Sequence, residues 1–400
     1  MPTVLTDDYI QDPHRVAELL RAEGPVRHVV LPTGMPAWLV TGYAEARELL
    51  TDPRLSSNGV YDRLEKLRGA ATGEPSSFSP DLARHLLNTD PPDHTRLRKL
   101  VNKAFTPRVI ERLRPRIEEI ADELLDAIEQ SADDPIDLLP AYAYPLPITV
   151  ICELLGIPVE DQDRFGQWSG SLVSTAGPKE IGEASAAMGG YLFGLIEQKR
   201  AEPADDLLSA LVHAADDGDR LTVPELIAMT FVLLIGGYET TVNLIGSGVL
   251  SLLTNPAELE RLRADRSLLR NGIEELLRYE TPNNMSSPRY TTEPIKVGDV
   301  EIPANEFVLV SLLAANRDPA RFDGADRLDI ARPTSGHHLG FGHGIHFCVG
   351  APLGRLEGEI AIGKLLDRFP ALRLAVPVTE LRWRPSTAMR ALQTLPVHVR

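Results

Sequence analysis

Apolar residues recur at helical spacing along most of this chain, and strand-like alternation is confined to short pieces. Between residues 107 and 130, Ile110, Leu113, Ile117, Ile120, Leu124 and Ile128 fall on one stripe with charges between them, the pattern of an amphipathic surface helix. The same period predicts helices over residues 44–50, 207–215, 256–262, 268–278 and 353–369. Strand-like segments cover 37–41, 295–302, 307–313 and parts of the stretch from 372 onward. Gly, Ser, Thr and Pro collect at 68–80, and Gly, Ala and Ser at 174–187, so both read as loops. The predicted fold class is mainly α with a minor β portion. With no linker or internal repeat in the pattern, a single domain over residues 1–400 is expected.

Residues 226–254 are almost free of charge, and Thr222 with Glu225 offers a capping box at their start. By length alone this stretch could cross a bilayer. Glu239 sits at its middle, where a lipid-facing carboxylate is costly, and Gly236, Gly237, Gly246 and Gly248 weaken it as an isolated helix. A long helix through the centre of a soluble protein is the better reading. Its buried Glu then needs a reason.

At 43% hydrophobic and 24% charged residues, the composition is that of an ordinary globular protein. A net charge of −16 argues against phosphate-backbone binding, so no nucleic-acid partner is expected; a local basic patch remains compatible with it. Only two cysteines, Cys152 and Cys348, are present and lie far apart in sequence. A disulfide framework is therefore implausible and a reducing cytoplasm is the natural setting. Residues 1–13 lack a basic region followed by an apolar one, so neither a signal peptide nor a membrane anchor is expected.

The candidate chemistry lies near the C-terminus, in Phe341-Gly342-His343-Gly344-Ile345-His346-Phe347-Cys348-Val349-Gly350. A thiolate metal ligand needs a loop tight enough to present sulfur, which glycines permit. It needs backbone N–H donors and a favourable dipole, which a helix starting near Ala351 supplies. It also needs an apolar, planar neighbour against water, for which Phe341 is suited. Cys152, inside the apolar run 148–155, reads instead as a small buried hydrophobe.

The Phe-x-x-Gly-x-x-x-Cys-x-Gly spacing is highly specific, and here the chain resembles the cytochrome P450 family. Further segments extend the resemblance over nearly the whole chain, closest to soluble bacterial members. Glu275-Leu276-Leu277-Arg278 is similar to the family's Glu-x-x-Arg helix. Asp90-Pro91-Pro92-Asp93-His94-Thr95-Arg96-Leu97-Arg98 is similar to its haem-propionate helix start, and Gly236-Gly237-Tyr238-Glu239-Thr240 to its oxygen-binding kink. The stretch 322–332 resembles the loop before the cysteine.

This resemblance implies a P450 fold with haem b (iron protoporphyrin IX) between the long central helix and the cysteine loop. Cys348 is then the iron ligand, a thiolate that pushes electron density onto iron and favours O–O cleavage. Thr240 is implied to hold oxygen and a water, and Glu239 to help relay protons. His94, Arg98, Arg289 and His346 are the implied propionate partners, with Phe341 and Gly237 also against the cofactor. Glu275 and Arg278 are read as structural support, joined by a downstream arginine, Arg332. Ala325 stands where the family often has proline.

By position, the substrate pocket is implied to draw on 55–87, 165–187, 229–233, 282–287 and 386–392. Their mixture of apolar and amide or hydroxyl side chains fits a hydrophobic, partly oxygenated small molecule, such as a macrolide, polyketide, terpenoid or steroid-like compound. No flavin or nicotinamide fingerprint appears. Electrons from NAD(P)H are therefore expected to arrive through a separate ferredoxin and ferredoxin reductase. Arg96, Lys99, Lys103, Arg108, Arg112 and Arg355 are candidates for a basic docking face, with a solvated charged face as the equal alternative. A peroxide-driven peroxygenase and a non-catalytic haem-thiolate sensor are the competing readings. The Glu239-Thr240 pair speaks against the first. The second calls for a separate partner-binding module.

Overall fold

The charge-poor central stretch forms the helix Val223–Leu253, 31 residues long. Its start is the capping box the sequence offered: the Thr222 amide and hydroxyl both donate to Glu225 Oε2, at 2.8 and 3.0 Å. The Glu225 amide answers to Thr222 Oγ1 at 3.4 Å. The structure is a computed structural model and describes residues 2–72, 78–103, 105–173, 178–213 and 221–400.

Packing divides the chain into two units. One comprises Met1–Leu55, Glu111–Leu146 and Thr240–Arg400; the other comprises Ser56–Ile110 and Pro147–Glu239. The helices that carry the argument are α1 (Asp93–Asn102), α2 (Arg114–Gln130), α3 (Val223–Leu253), α4 (Leu269–Tyr279) and α5 (Ala351–Arg368). The strands that carry the argument are β1 (Thr3–Val4), β2 (Val26–Val30), β3 (Pro36–Val40), β4 (Arg289–Thr291), β5 (Ile295–Val297), β6 (Val300–Ile302) and β7 (Phe307–Val310).

In the first unit five strands of a mixed sheet follow the order β1-β2-β3-β7-β4. β3 pairs in parallel with β7, Trp38 opposite Val308 and Val40 opposite Val310, and β4 returns antiparallel with Arg289 opposite Val308. Val26, Val40, Leu49, Leu50, Val308, Val310, Phe322 and Leu339 are buried together in a core at this sheet. Away from the sheet, α2 packs on α5, with Lys364 Nζ 2.8 Å from Asp122 Oδ2 and the Tyr142 hydroxyl donating 2.9 Å to Ala361 O. The second unit is helical, and Phe165 makes edge contacts in it with Trp168 and Tyr191 at 5.5 and 4.9 Å.

Several elements differ from the sequence expectation. The single helix expected over 107–130 is two, Pro107–Glu111 and α2, because Pro115 cannot sit inside a continuous helix. The strand expected at 295–302 is the hairpin β5–β6, turned at Gly298 with φ +59°. The strand expected at 307–313 ends at Val310, where Ser311 Oγ accepts from the Ala314 amide and starts the helix Leu312–Asn316. The two expected loops are partly helical: residues up to Thr72 belong to Val60–Thr72, and Pro178–Ala201 is one helix. Small residues hid the stripe of Ala184, Met188, Leu192 and Ile196, all buried. The remainder of those loops, at 73–77 and 174–177, and the end of the helix expected to reach 215 lie outside the described residues.

The Glu-x-x-Arg pair is the most buried charge in the first unit. Arg278 is 0% exposed. Its Nε and Nη2 donate to the two Glu275 oxygens at 2.7 and 2.8 Å, and its Nη1 donates to Asn316 O (2.9 Å) and Ala325 O (2.7 Å). Arg332 Nε lies 3.1 Å from Glu275 Oε1, while its Nη2 donates to Gly324 O and Arg327 O. Two guanidinium groups thus face one carboxylate, and backbone carbonyls of the 316–327 stretch absorb the remaining donors. Removing one member leaves buried donors or charge uncompensated. Arg332→Leu should lower unfolding free energy by about 3 kcal/mol, read by denaturant titration; a loss under about 0.5 kcal/mol would mean the network is dispensable.

Candidate active site

In the first unit the cysteine loop is shaped by backbone. Gly342 and Gly344 hold φ of +73° and +75°, values an L side chain rarely adopts. A side chain at Gly344 would also meet Leu50 O at 2.9 Å. The Cys348 amide donates to Phe341 O at 2.9 Å and the Phe347 amide to Gly344 O at 3.1 Å, so the loop closes on itself and α5 begins three residues after the sulfur. The result is unusual for a cysteine outside a disulfide: Cys348 is exposed, flanked by exposed Ile345 (50%) and Phe347 (39%). Free thiols are normally among the most buried groups. Cys152, by contrast, is buried, and burial pushes its thiol up to about 12, as its apolar run implied.

Arg289 reaches this loop from β4. It is buried, and its Nη1 donates 2.9 Å to the same Leu50 carbonyl that limits Gly344. His346 is half-buried on the loop itself. Phe341 lies under the Arg355 guanidinium, 4.5 Å from its ring centre, and makes an edge contact with Phe347 at 6.2 Å. Arg355 is in turn held by Glu274 at 2.6 and 3.0 Å, and His338 Nε2 lies 3.2 Å from the same carboxylate. Burial alone would raise the Glu274 pKa, but the bonds from His338 and Arg355 outweigh it and hold the group at about 2.

α3 meets this region at its second half. A side chain at Gly354 on α5 would lie 3.8 Å from the Phe341 ring and 3.9 Å from Thr241 Oγ1. Thr240 is half-buried and Thr241 is buried. Within the first unit the structure therefore gathers Cys348, Phe341, His346 and Arg289 at one loop and brings the Thr240–Thr241 turn to the base of α5.

In the second unit, His94 is 3% exposed on α1, and Arg98 follows one turn later with its Nε on Asn102 Oδ1 at 3.0 Å. Glu239 is buried. The two α3 glycines differ: a side chain at Gly237 would strike Ile151 Cδ1 at 2.7 Å, whereas one at Gly236 would enter open space. Gly237 thus permits close helix packing, and Gly236 bares the backbone. Tyr238 is buried with its hydroxyl on Ser169 Oγ, a structural position. Of the basic candidates, Arg96 is paired with Glu225 and Arg355 with Glu274, while Lys99 and Arg108 stand exposed.

Two acids escaped the sequence reading. Glu274, next to the signature Glu275, is legible only once Arg355 and His338 are brought to it. Glu357 left a signal: it falls on the apolar stripe of α5, four residues after Leu353 and three before Ile360, where a carboxylate is out of pattern.

An exposed sulfur at a glycine-held loop, an apolar rim and a buried arginine beside it are a donor set for a flat, anionic, iron-bearing ring, so these residues fit haem; they define a haem-thiolate protein. A family model described as Cytochrome P450 matches residues 62–167 and 178–375. Cytochrome P450 107B1 of Saccharopolyspora erythraea is 52% identical over 392 residues, 98% of this chain and 96% of that one. A vitamin D(3) 25-hydroxylase of Pseudonocardia autotrophica is 48% identical over 97% of this chain and 94% of its own. The tirandamycin C-bound P450 monooxygenase TamI matches with a TM-score of 0.93 and 51% identity, covering 100% of both chains. The chain belongs to the cytochrome P450 family. It is a monooxygenase that uses haem iron and O2; bacterial members of the family draw on redox partners and act on hydrophobic substrates.

The Glu274 cluster sets an acid limb of stability. Its carboxyl pKa is lower in the fold than in the open chain, so its contribution is complete above pH 4.5 and lost as pH falls towards 2. Glu274→Gln should cost on the order of 3 kcal/mol at neutral pH, with the gap to wild type narrowing below pH 4.5. A pH series of urea unfolding curves checks this; a gap that stays constant would refute it.

Proposed function

We propose that this P450 hydroxylates a hydrophobic, partly oxygenated small molecule of macrolide, polyketide, terpenoid or steroid-like kind in secondary metabolism. The exposed Cys348 sulfur carries the chemical half of the reading. The substrate half is supported by the vitamin D(3) hydroxylase and by the relative that holds tirandamycin C. Haem bound through Cys348 supplies oxygen activation, with the thiolate favouring O–O cleavage. Phe341 is proposed to keep water from the sulfur once haem is bound. His94, Arg98, Arg289 and His346 are the residues that the family resemblance proposes as propionate partners, by charge-assisted bonds.

Thr240 is proposed to hold oxygen and a water through its hydroxyl. Glu239, whose buried carboxyl interrupts an apolar helix, is proposed to pass protons to that water. Gly237 is proposed, from the family resemblance, to lie against the cofactor. The family match runs through both units, which supports a single P450 domain over 1–400. A cytoplasmic setting, with electrons from NAD(P)H through ferredoxin and its reductase, completes the reading. Lys99, Lys103, Arg108 and Arg112, all exposed, are the candidates left for docking.

Cys348→Ala should lose both the red-shifted Soret band of the reduced carbon monoxide complex and product formation. Thr240→Ala should keep consuming NAD(P)H while hydrogen peroxide replaces product. Retention of the Soret band in the first variant, or of tight coupling in the second, would remove the corresponding role. The substrate class is checked by screening macrolactones, sterols and terpenes for a low-to-high-spin shift; a response restricted to small, highly polar ligands would overturn it.

A further inference from the structure

A hairpin near the C-terminus is held from behind by charge. Trp383 lies opposite Leu392 in antiparallel pairing, and the Arg384 amide donates 2.7 Å to Ala391 O. At the tip, the Met389 amide donates 3.1 Å to Ser386 Oγ. This tip lies against the segment that leaves α4. Asn283 pairs antiparallel with Met389, the Asn284 amide donates 2.8 Å to Ala388 O, and the Arg390 amide donates 2.8 Å to Pro282 O. These are backbone bonds, so they join the two segments without dictating where the pair sits.

Side chains outside the pair decide that. Glu280, the residue that ends α4, is 8% exposed and accepts from Arg390 Nε at 2.6 Å. His14 Nε2 lies 2.9 Å from its other oxygen, and Arg317 Nη2 lies 3.4 Å from the same atom. Burial alone would raise the Glu280 pKa, but His14, Arg390 and Arg317 outweigh it and hold the carboxyl well below the usual range. Arg390 is 4% exposed, lies over the Trp383 ring at 3.4 Å, and donates from Nη1 to Ile10 O at 2.8 Å. Gln11 completes the hold. Its Nε2 donates to Trp383 O and its Oε1 accepts from the Trp383 amide, both at 3.2 Å. Ile10 and Gln11 end the helix Asp7–Gln11, and His14 belongs to the helix Pro13–Ala22. One carboxylate thus joins the end of α4, the hairpin and the N-terminal helices.

An apolar filling would give such a junction comparable stability. What directional bonds add is position. With Nε committed to Glu280 and Nη1 to Ile10, the planar guanidinium has one orientation, and the hairpin that carries it is placed accordingly.

We propose that Arg390 and Gln11 are positioning residues for substrate: anchored on Glu280 and Ile10, they let the N-terminal helices set where Asn283 and Met389 stand, and so tune selection of a molecule they do not touch. This rests on the assignment of 282–287 and 386–392 to the substrate pocket.

The test uses haem-replete protein and two azole probes, read by the Soret shift as nitrogen binds iron. Imidazole needs little beyond the iron, whereas clotrimazole must also fit the pocket walls. Arg390→Met and Gln11→Ala should leave imidazole binding unchanged and weaken clotrimazole about tenfold and about threefold, respectively, as preorganised walls loosen. Melting temperature is recorded alongside, because a junction that only stabilises the fold would lower it and leave the ratio of the two affinities where it was. Gln11→Ala removes two neutral hydrogen bonds and carries the test if Arg390→Met does not fold.

A ratio unchanged in Gln11→Ala, or in a folded Arg390→Met, overturns the proposal. Met389→Trp separates it from the assignment beneath, since added bulk on a pocket wall should alter clotrimazole binding and spare imidazole. If it does so while the other variants do not, the wall stands and the positioning role fails. If Met389→Trp changes neither probe, the hairpin is no pocket wall and the proposal falls with that assignment.

Discussion

A carboxylate clamped between two arginines stands under the whole cysteine side of this protein. Glu275 faces both Arg278 and Arg332, and the spare donors of those arginines take up carbonyls between Asn316 and Arg327. A stretch with little regular structure is thereby tied down at the carbonyls of Asn316, Asp323, Gly324, Ala325 and Arg327, each of which accepts from a guanidinium. Such a network contributes little net stability over an apolar filling, yet its loss is costly. What it confers here is a fixed path for the chain that leads to Leu339 and the sulfur beyond. Asn316 continues the same logic: its side chain accepts from the Leu339 amide at 2.6 Å while donating to Thr281 Oγ1 at 2.7 Å.

The second recurring device is the absent side chain. Gly344 lets the loop pass beneath the Leu50 carbonyl, and Gly358 lets α5 meet α3. In each case one Cβ would enter space already occupied by another element. Specificity of packing is achieved by subtraction, which keeps catalytic backbone close without distorting it. The cost in helix propensity, about 1 kcal/mol per interior glycine, is offset by the burial of apolar neighbours such as Leu244 and Ile362.

Four glutamates of the central and C-terminal helices show how differently one side chain can be used. Glu275 lies between two arginines. Glu274 is kept anionic by His338 and Arg355 and fastens the start of α5 to α4. Burial pushes the Glu357 carboxyl well above the usual carboxylate range. Glu239 occupies the middle of an apolar helix, where the proposed proton transfer would give it purpose. The environment, and not the residue type, selects each state.

Much was legible from residue order alone. The helical period located α2, α4 and α5, Thr222 and Glu225 marked the start of α3, and the spacing around Cys348 pointed to the thiolate, because these depend on neighbours within a turn or two. The helix at Pro178–Ala201 was masked by small residues that resemble a loop in composition, and the break before α2 was overlooked although Pro115 announces it. Arg289 meeting the cysteine loop at Leu50, and the partners of Glu274 and Glu357, come from segments tens to hundreds of residues apart. Local pattern carries no information about such encounters. Which acid meets arginines, which is buried among apolar side chains and which glycine is needed for contact are properties of distances between distant segments, and only folding creates those distances.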